Sequence, residues 1–465
     1  GQDRAMEAIS FGTEIDRPGY NLYVMGSSGM GRHHLLKEKL AEQAGKDPPQ
    51  SDWCYVANFA DPSKPRALEL PNGMGRQLSR HMNQLVGDLL NAIPSAFQSD
   101  EYRRRFQEIT QRFKQRKEKT AAALSALAEE HSVALLDTPT GYSITAMRAN
   151  KPRSSEAFEA LPEEEKARYH VAIDKIKKEL RDVLAKVPLW QKELRQYTEE
   201  LERDITELTA SQLIKDLTAS YMELPEVLEY LQQVQQDIVE NGSMFRSDNA
   251  LEQESISADD PRFTRYRVNL LVEQKKQHAP VVYEDNPTYQ NLVGRVEHIA
   301  RMGTLVTDFT LIKPGALHLA NGGYLVLDAH KILSSAFAWD GLKRALNAKE
   351  VRIDPIERQL SLAGTVSLEP EPIPIHLKVA IVGDRLLYFL LKAYDPEFSS
   401  LFKVAADFAE EMDRDNSRDE TYAHLVATLQ QREGLRELDP SGVSQTIDWA
   451  SRRTGDSEKL SLHMG

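Results

Sequence analysis

A short glycine-rich loop lies between an apolar run and a helix-like segment near the start of the chain. Residues 22–25 are apolar, the loop is Gly26-Ser27-Ser28-Gly29-Met30-Gly31-Arg32-His33, and residues 34–40 have helical spacing. A strand, a glycine loop and a helix in this order are typical of loops whose backbone N–H groups bind phosphate. A tight strand-to-helix turn without a ligand is the alternative. The pattern predicts an α/β fold with a parallel sheet.

A second segment, almost three hundred residues later, resembles the other half of a nucleotide site. The apolar run 324–327 ends at Asp328, as in a Walker B strand, where the carboxylate would help to hold Mg²⁺. Both halves lack residues that ATP hydrolysis uses. Arg32 and His33 replace a lysine and a hydroxyl residue, and Ala329 replaces the carboxylate that activates water. We therefore predict an architecture for ATP or ADP with Mg²⁺, but little turnover.

The segment between the two halves predicts a long helical arm. Its apolar residues are spaced by threes and fours, which is coiled-coil spacing: Tyr169, Ile173, Ile176, Leu180, Val183, Val187, Trp190, Leu194, Tyr197 and Leu201. An upstream stripe within 102–127 is the expected partner in an antiparallel hairpin, and Pro188 is expected to kink the arm. Apolar runs on either side of turn residues 137–141 predict a small β tip.

The composition argues against a membrane-embedded or nucleic-acid-binding protein. No apolar run in the 465 residues approaches the roughly 18 needed to span a bilayer. The formal net charge of −13 disfavours general attraction to a phosphate backbone. The single cysteine, Cys54, leaves no internal disulfide, as is usual in a reducing compartment. We expect a cytoplasmic protein of two to four structural units.

Several segments resemble the Lon protease family (peptidase La), in particular the LonB-like bacterial branch with a long helical insertion. The resemblance is carried by residues 1–5, 19–26, 307–309, 315–325 and 342–346 and by a C-terminal lid over 418–465. The departures from both nucleotide motifs also resemble the degenerate, ATP-independent LonC type. The resemblance implies an AAA+ P-loop-like parallel sheet interrupted by the helical insertion, with a C-terminal helical lid. The predicted segments are 1–75 and 246–412 for the AAA+ core, 76–245 for the insertion with its tip near 131–151, and 413–465 for a truncated lid.

The same resemblance implies roles for polar residues outside the two motifs. Asp384 follows an apolar run and stands at the sensor 1 position, although a turn acid at a strand end is an equal alternative. Lys403 is the cation nearest to the arginine-finger position. Arg452 and Arg453 stand near the sensor 2 position, where charge pairing at a helix C-terminus is the alternative. Residues 301–305, with Met302 and Gly303, are expected as a flexible pore-facing loop or an ordinary surface loop.

The function implied by the resemblance is that of an AAA+-like module that handles or gates polypeptides in a self-associating ring. The serine–lysine dyad of Lon-like endopeptidases has no matching segment here, so we expect the peptidase domain outside this chain and the chain to be part of a longer polypeptide. By itself the chain would have little ATPase and no peptidase activity. The alternative is a non-hydrolysing scaffold or substrate-binding module, whereas a DNA-associated motor is disfavoured by the acidic charge.

Overall fold

A computed structural model gives the architecture of the chain. It describes residues 2–138, 141–148, 151–152, 158, 161–246, 256–301, 303–354 and 368–463. The chain divides into two compact units, which are treated separately. Unit 1 comprises residues 1–83 and 263–465, and unit 2 comprises residues 84–262.

The strands and helices alternate in unit 1, whereas helices dominate unit 2. The strands are β1 Leu22–Met25, β2 Asp52–Val56, β3 Arg66–Leu70, β4 Val133–Thr138, β5 Gly141–Arg148, β6 Lys151–Pro152, β7 Val268–Val272, β8 Val281–Glu284, β9 Arg295–Val296, β10 Ile299–Arg301, β11 Thr304–Val306, β12 Ile312–Lys313, β13 Tyr324–Asp328, β14 Glu350–Val351, β15 Ile373–Pro374, β16 Lys378–Gly383, β17 Val404–Asp407, β18 Glu411–Asp413 and β19 Lys459–Ser461. The helices are α1 Asp3–Glu14, α2 Arg32–Ala44, α3 Met74–Phe97, α4 Asp100–Glu130, α5 Glu163–Ser220, α6 Pro225–Glu240, α7 Tyr289–Val293, α8 Ala316–Leu319, α9 Ala329–Ser334, α10 Ala338–Ala348, α11 Arg385–Tyr394, α12 Phe398–Leu401, α13 Asn416–Glu433 and α14 Pro440–Thr454.

A five-stranded parallel sheet forms the centre of unit 1, in the order β17-β1-β16-β13-β8. All four residues of β1 are buried, as are the last five of β16. Continuous apolar runs of this kind are expected of parallel strands that are covered on both faces. The α/β prediction with a parallel sheet is confirmed.

Alternation along each strand divides the apolar side chains between two layers. On β1, Leu22 and Val24 pack with Ile9, Leu36 and other residues of α1 and α2. The intervening residues of the same strand pack on the opposite face, in a cluster that includes helices α7 to α12: Tyr23, Met25, Leu292, Leu342 and Phe398. Because every strand runs in the same direction, the carboxyl ends of β1, β13, β16 and β17 meet at one edge of the sheet. Ligands of open parallel sheets bind at this edge.

Smaller elements of unit 1 flank the central sheet. Strand β2 pairs with β3 and β7 in an antiparallel sheet, and β18 pairs with β19. The C-terminal helices α13 and α14 pack on β19, where the Tyr422 hydroxyl donates to the Ser461 carbonyl at 3.0 Å. The sequence of residues 351–354 and 360–362 predicts a hairpin, but residues 355–367 lie outside the described ranges. In the described part, β14 pairs with β15.

Unit 2 contains the predicted antiparallel helical hairpin. Contacts between α4 and α5 run in opposite directions along the two helices, because Arg105 pairs with Asp204 at 3.1 Å and Arg116 pairs with Glu193 at 2.9 Å. Leu124 packs with Ile176 and Leu180. Helix α5 continues through Pro188.

The predicted β tip is also present at the end of this hairpin. Strands β4 and β5 are antiparallel, and their described pairing extends from Val133 opposite Ala146 to Thr138 opposite Gly141. Leu135 and Ile144 pack against the apolar cluster of α4 and α5. No helix in the described ranges is both long and apolar enough to cross a bilayer.

Candidate functional site

The glycine loop leaves the carboxyl end of β1 and enters α2, in the predicted strand, loop and helix order. Gly29 and Gly31 have φ angles of 87° and 72°, which only glycine adopts without strain. A Cβ on Gly26 would lie 2.9 Å from Cβ of Phe408, so that the loop requires glycine there for packing. The loop thus starts at the sheet edge where strands of this kind bind ligands.

Arg32, at the first position of α2, is bound to the backbone at the ends of two neighbouring strands. Its Nη1 donates to the carbonyl of Gly26, just beyond β1, and to the carbonyl of Gly383 at 2.7 Å, at the end of β16. The guanidinium therefore joins the start of the loop to the adjacent strand. The sequence places a cation at this position, but it does not predict these two acceptors.

Asp328 lies at the end of β13 and caps the next helix. Its Oδ1 accepts from the backbone N–H of Lys331 at 3.1 Å, at the N-terminus of α9. The Lys331 ammonium forms an ion pair with Asp285. Loss of solvent around the His33 imidazole, followed by the nearby charge of Arg32, lowers the pKa of His33 below its usual value. His33 is therefore expected to be neutral near pH 7.

Ala329, the position at which the resemblance implies a carboxylate, begins α9 and is fully buried. A Cβ built on Gly383 would lie 2.6 Å from Cβ of Ala329 and 2.2 Å from the hydroxyl of Tyr23. That hydroxyl donates to the Asp384 carbonyl at 3.1 Å, and burial raises the pKa of Tyr23. Position 329 thus belongs to the apolar packing beneath the sheet edge. A larger acidic side chain there requires local rearrangement.

Asp384 follows β16 directly and lies beside α9. Its Oδ2 is 2.6 Å from Nε2 of His330, and both side chains are accessible to solvent. The sequence-predicted residues 26–33, 328 and 384 therefore all lie at the carboxyl edge of one sheet. Their assignment as nucleotide ligands remains a proposal.

A polar network that the sequence analysis missed also reaches the loop. The Ser27 hydroxyl donates to Oε1 of Glu410 at 2.6 Å, and Arg385 donates to the same oxygen at 2.6 Å. Arg385 also contacts Asp407 at 2.8 Å. The Ser27 hydrogen bond, and after it that of Arg385, lowers the pKa of Glu410. Charged residues that follow two of the strands could have indicated this network, since Arg385 follows β16 and Glu410 follows β17.

Two of the outer cations suggested by the resemblance contact aromatic rings of their own unit. Lys403 lies before β17, at the opposite edge of the sheet, with Nζ 5.0 Å from the centre of the Tyr20 ring. Arg453 lies over the Trp449 ring at 5.3 Å, in the last turn of α14. Neither contact requires a nucleotide.

The segment 301–305, expected as a flexible pore-facing loop or an ordinary surface loop, contains the ends of two paired strands. Strands β10 and β11 pair with Arg301 opposite Thr304, and Gly303 has a φ angle of 80° in the turn. A positive φ angle of this size favours glycine, which has no Cβ. Met302 lies outside the described residues. Apolar side chains on the hairpin are exposed: Ile299, Leu305 and Val306.

The side chains at the sheet edge fit Mg²⁺ poorly. Mg²⁺ prefers oxygen ligands in octahedral geometry. His33 offers a ring nitrogen in place of a hydroxyl, one oxygen of Asp328 caps α9, and Asp384 is engaged with His330. Across the described ranges, histidine, cysteine and carboxylate side chains form no group of three or more that could hold a metal ion. We therefore derive no metal-dependent step.

Comparisons with known proteins place similarity in both parts of unit 1. Residues 277–409 match the family described as LonB-like, AAA domain, and residues 52–85 match the Lon-like LonC helical domain. A putative Lon protease homolog of Escherichia coli (strain K12) is 29% identical over 144 residues. That match covers 31% of this chain but only 20% of the relative. NtrX from Brucella abortus covers 36% of this chain and 35% of its own at 15% identity, and its TM-score of 0.24 supports no inference.

Proposed function

We propose that this chain, a Lon-like family member, is the AAA+-like module of a Lon-type serine protease, handling or gating polypeptides with little or no ATP turnover. AAA domains in general bind nucleotide, so the loop 26–33 is the proposed phosphate site. The peptidase chemistry is assigned to a part of the parent protein outside this sequence. We also propose self-association, in a ring, and a cytoplasmic location.

One observation supports the low turnover above all others, namely the burial of Ala329 against Gly383. A general base must approach the attacking water to within hydrogen-bonding distance. Ala329 has no titratable group, and its Cβ faces the packed end of β16. The neighbouring acids are engaged elsewhere, since Asp328 caps α9 and Asp384 is paired with His330.

The exposed hairpin of β10 and β11 supports the polypeptide-handling part of the proposal. Leu305 is 59% exposed and Ile299 is 45% exposed. Isolated exposed apolar residues are common, but a two-stranded hairpin that presents three of them offers adaptable contacts to unfolded chains. These contacts involve no charge and would therefore tolerate varied sequences.

Titration with a fluorescent ATP analogue, followed by a phosphate-release assay, tests the proposal. We expect at most weak binding and a release rate near the buffer background. Ala329→Glu is the informative variant, and Ala336→Glu, at an exposed position between α9 and α10, is its control for the added charge. We expect Ala329→Glu to lower the melting temperature without creating ATPase activity, because it places a carboxylate in an apolar core. Rapid turnover by the unaltered chain would refute the proposal.

The alternative, a non-hydrolysing scaffold with a binding arm, is favoured by exposed apolar residues on helix α5. Val171 is 72% exposed and Leu208 is 69% exposed. Changing both to serine separates the two functions. Loss of polypeptide binding with an unaltered hairpin would assign recognition to unit 2. Loss after a change in the β10–β11 hairpin would assign recognition to unit 1.

A further inference from the structure

We infer that Arg32 is a built-in clip that holds the glycine loop against β16 without a nucleotide. The inference rests on the proposed function only in treating the loop as a non-hydrolytic site. In this arrangement the Arg32 guanidinium is hydrogen-bonded without a phosphate. Its two hydrogen bonds hold the ends of β1 and β16 together.

The two acceptors of Arg32 lie at the ends of neighbouring strands. The pairing of β1 with β16 ends with Met25 opposite Gly383. The carbonyls of Gly26 and Gly383 thus lie where the ladder stops, in two buried residues. Buried carbonyls require hydrogen-bond donors, and here both accept from Nη1 of Arg32. One nitrogen therefore uses both of its hydrogens to join two strands.

Neither glycine has room for a side chain of its own, because a Cβ on Gly26 would meet Phe408 and a Cβ on Gly383 would meet Tyr23. A side-chain donor to these carbonyls therefore belongs to another residue. Arg32 fits this requirement, since it begins α2 immediately after the loop and has a long, planar group with several donors.

Arginine suits this bridge better than the lysine of ordinary phosphate loops. The terminal nitrogen of arginine lies one bond farther from Cα than that of lysine, and its two hydrogens point in fixed directions. A lysine ammonium is a compact point charge that suits a phosphate. The substitution thus favours a fixed bridge between carbonyls. A phosphate that recruited Nη1 of Arg32 would have to displace both bonds.

The clip is separate from the other contact of the loop. Ser27 is held by Glu410, which follows β17 on the other side of β1. The loop is therefore tied to β16 through Arg32 and to the chain after β17 through Ser27. Removal of one contact leaves the other in place, so that the effect of Arg32 can be measured by itself.

Hydrogen–deuterium exchange of the full chain without nucleotide tests the clip. In Arg32→Ala we expect the amides of residues 26–31 and 383–385 to exchange at least about tenfold faster than in the unaltered chain, the change that a loss of about 1.4 kcal/mol in local stability gives. Arg32→Lys keeps the charge, so an intermediate rate is expected. Arg4→Ala is the matched control, since Arg4 is an exposed arginine on α1 of the same unit. In this variant the exchange rates of residues 26–31 and 383–385 should not change.

Unchanged exchange of residues 26–31 in both Arg32 variants would overturn the inference. If Arg32→Ala does not fold, Arg32→Lys decides the question, because unaltered rates in that variant show that the two bonds do not hold the loop. ATP turnover of the unaltered chain is measured separately. Rapid turnover would refute the proposed function, whereas the exchange rates test only the clip.

Discussion

His318 gives the sharpest quantitative prediction, because it is a buried histidine with one unused ring nitrogen. It is 1% exposed, and its Nδ1 accepts from the backbone N–H of Gly315 at 3.2 Å. Nε2 has no hydrogen-bond partner within the described residues. Burial lowers the pKa of His318 from 6.5 to about 3. The folded protein therefore holds this side chain neutral.

The sign and size of the pH effect follow from that shift. The unfolded chain binds a proton near pH 6.5 and the folded chain only near pH 3, so stability is full above pH 6.5 and falls as the pH drops towards 3. At about 1.4 kcal/mol per pH unit, the free energy of unfolding of unit 1 should fall by about 2 kcal/mol between pH 7 and pH 5 through His318 alone.

Denaturant unfolding at pH 7, 6 and 5 measures this effect. Trp190 is the one tryptophan of unit 2, so a Trp190→Phe background restricts the fluorescence signal to unit 1. His318→Asn keeps an acceptor for Gly315 and removes the titration. This variant should be less stable than the unaltered protein at pH 7, because the smaller side chain leaves a cavity. Its free energy of unfolding should lack the decline of about 2 kcal/mol that His318 causes between pH 7 and pH 5. His34→Gln, at an exposed position, is the control. Parallel decline of His318→Asn and the unaltered protein would refute the reasoning.

Three further predictions concern turnover, the arm and the hairpin. Phosphate release should stay near background in the unaltered chain, and brisk release that disappears in Asp328→Ala would contradict this. Replacing Leu180 and Leu194 by aspartate should destabilise the α4–α5 hairpin by about 2–4 kcal/mol and lower helical circular dichroism while unit 1 remains folded, and an unchanged spectrum would count against it. In the proposed parent protease, Leu305→Ser or Met302→Ala should slow degradation of a long unfolded protein but leave short-peptide cleavage and assembly intact, and equal rates would remove the hairpin from the proposed mechanism.

Local patterns in the sequence were sufficient to predict the main elements. The apolar runs at β1, β13 and β16 form buried strands, as predicted. The residues spaced by threes and fours lie on the long helix α5, which packs against α4. Such predictions succeed because periodicity is a property of neighbouring residues. The parallel order also brings the loop, Asp328 and Asp384 to one edge, since the ends of parallel strands meet there.

Secondary structure near Gly303 was less predictable from the sequence. A glycine between short apolar pairs is compatible with a mobile loop and with a tight hairpin, and only the pairing of β10 with β11 distinguishes them. The same holds for Pro188, where the helix continues although proline removes one hydrogen bond. Local preference alone does not decide the structure in either place.

The residue types at the candidate site were determined by the sequence, but their partners were decided by the tertiary structure. The sequence alone places Arg32, His33 and Ala329 at positions where the resemblance implies the residues used for hydrolysis. It does not show that Arg32 binds the carbonyl of Gly383, which is 351 positions away, or that Ser27 binds Glu410, 383 positions away. These bonds exist because adjacent strands of the sheet come from distant parts of the chain. A buried donor or acceptor takes the partner that folding brings within about 3 Å, and sequence distance does not limit that choice.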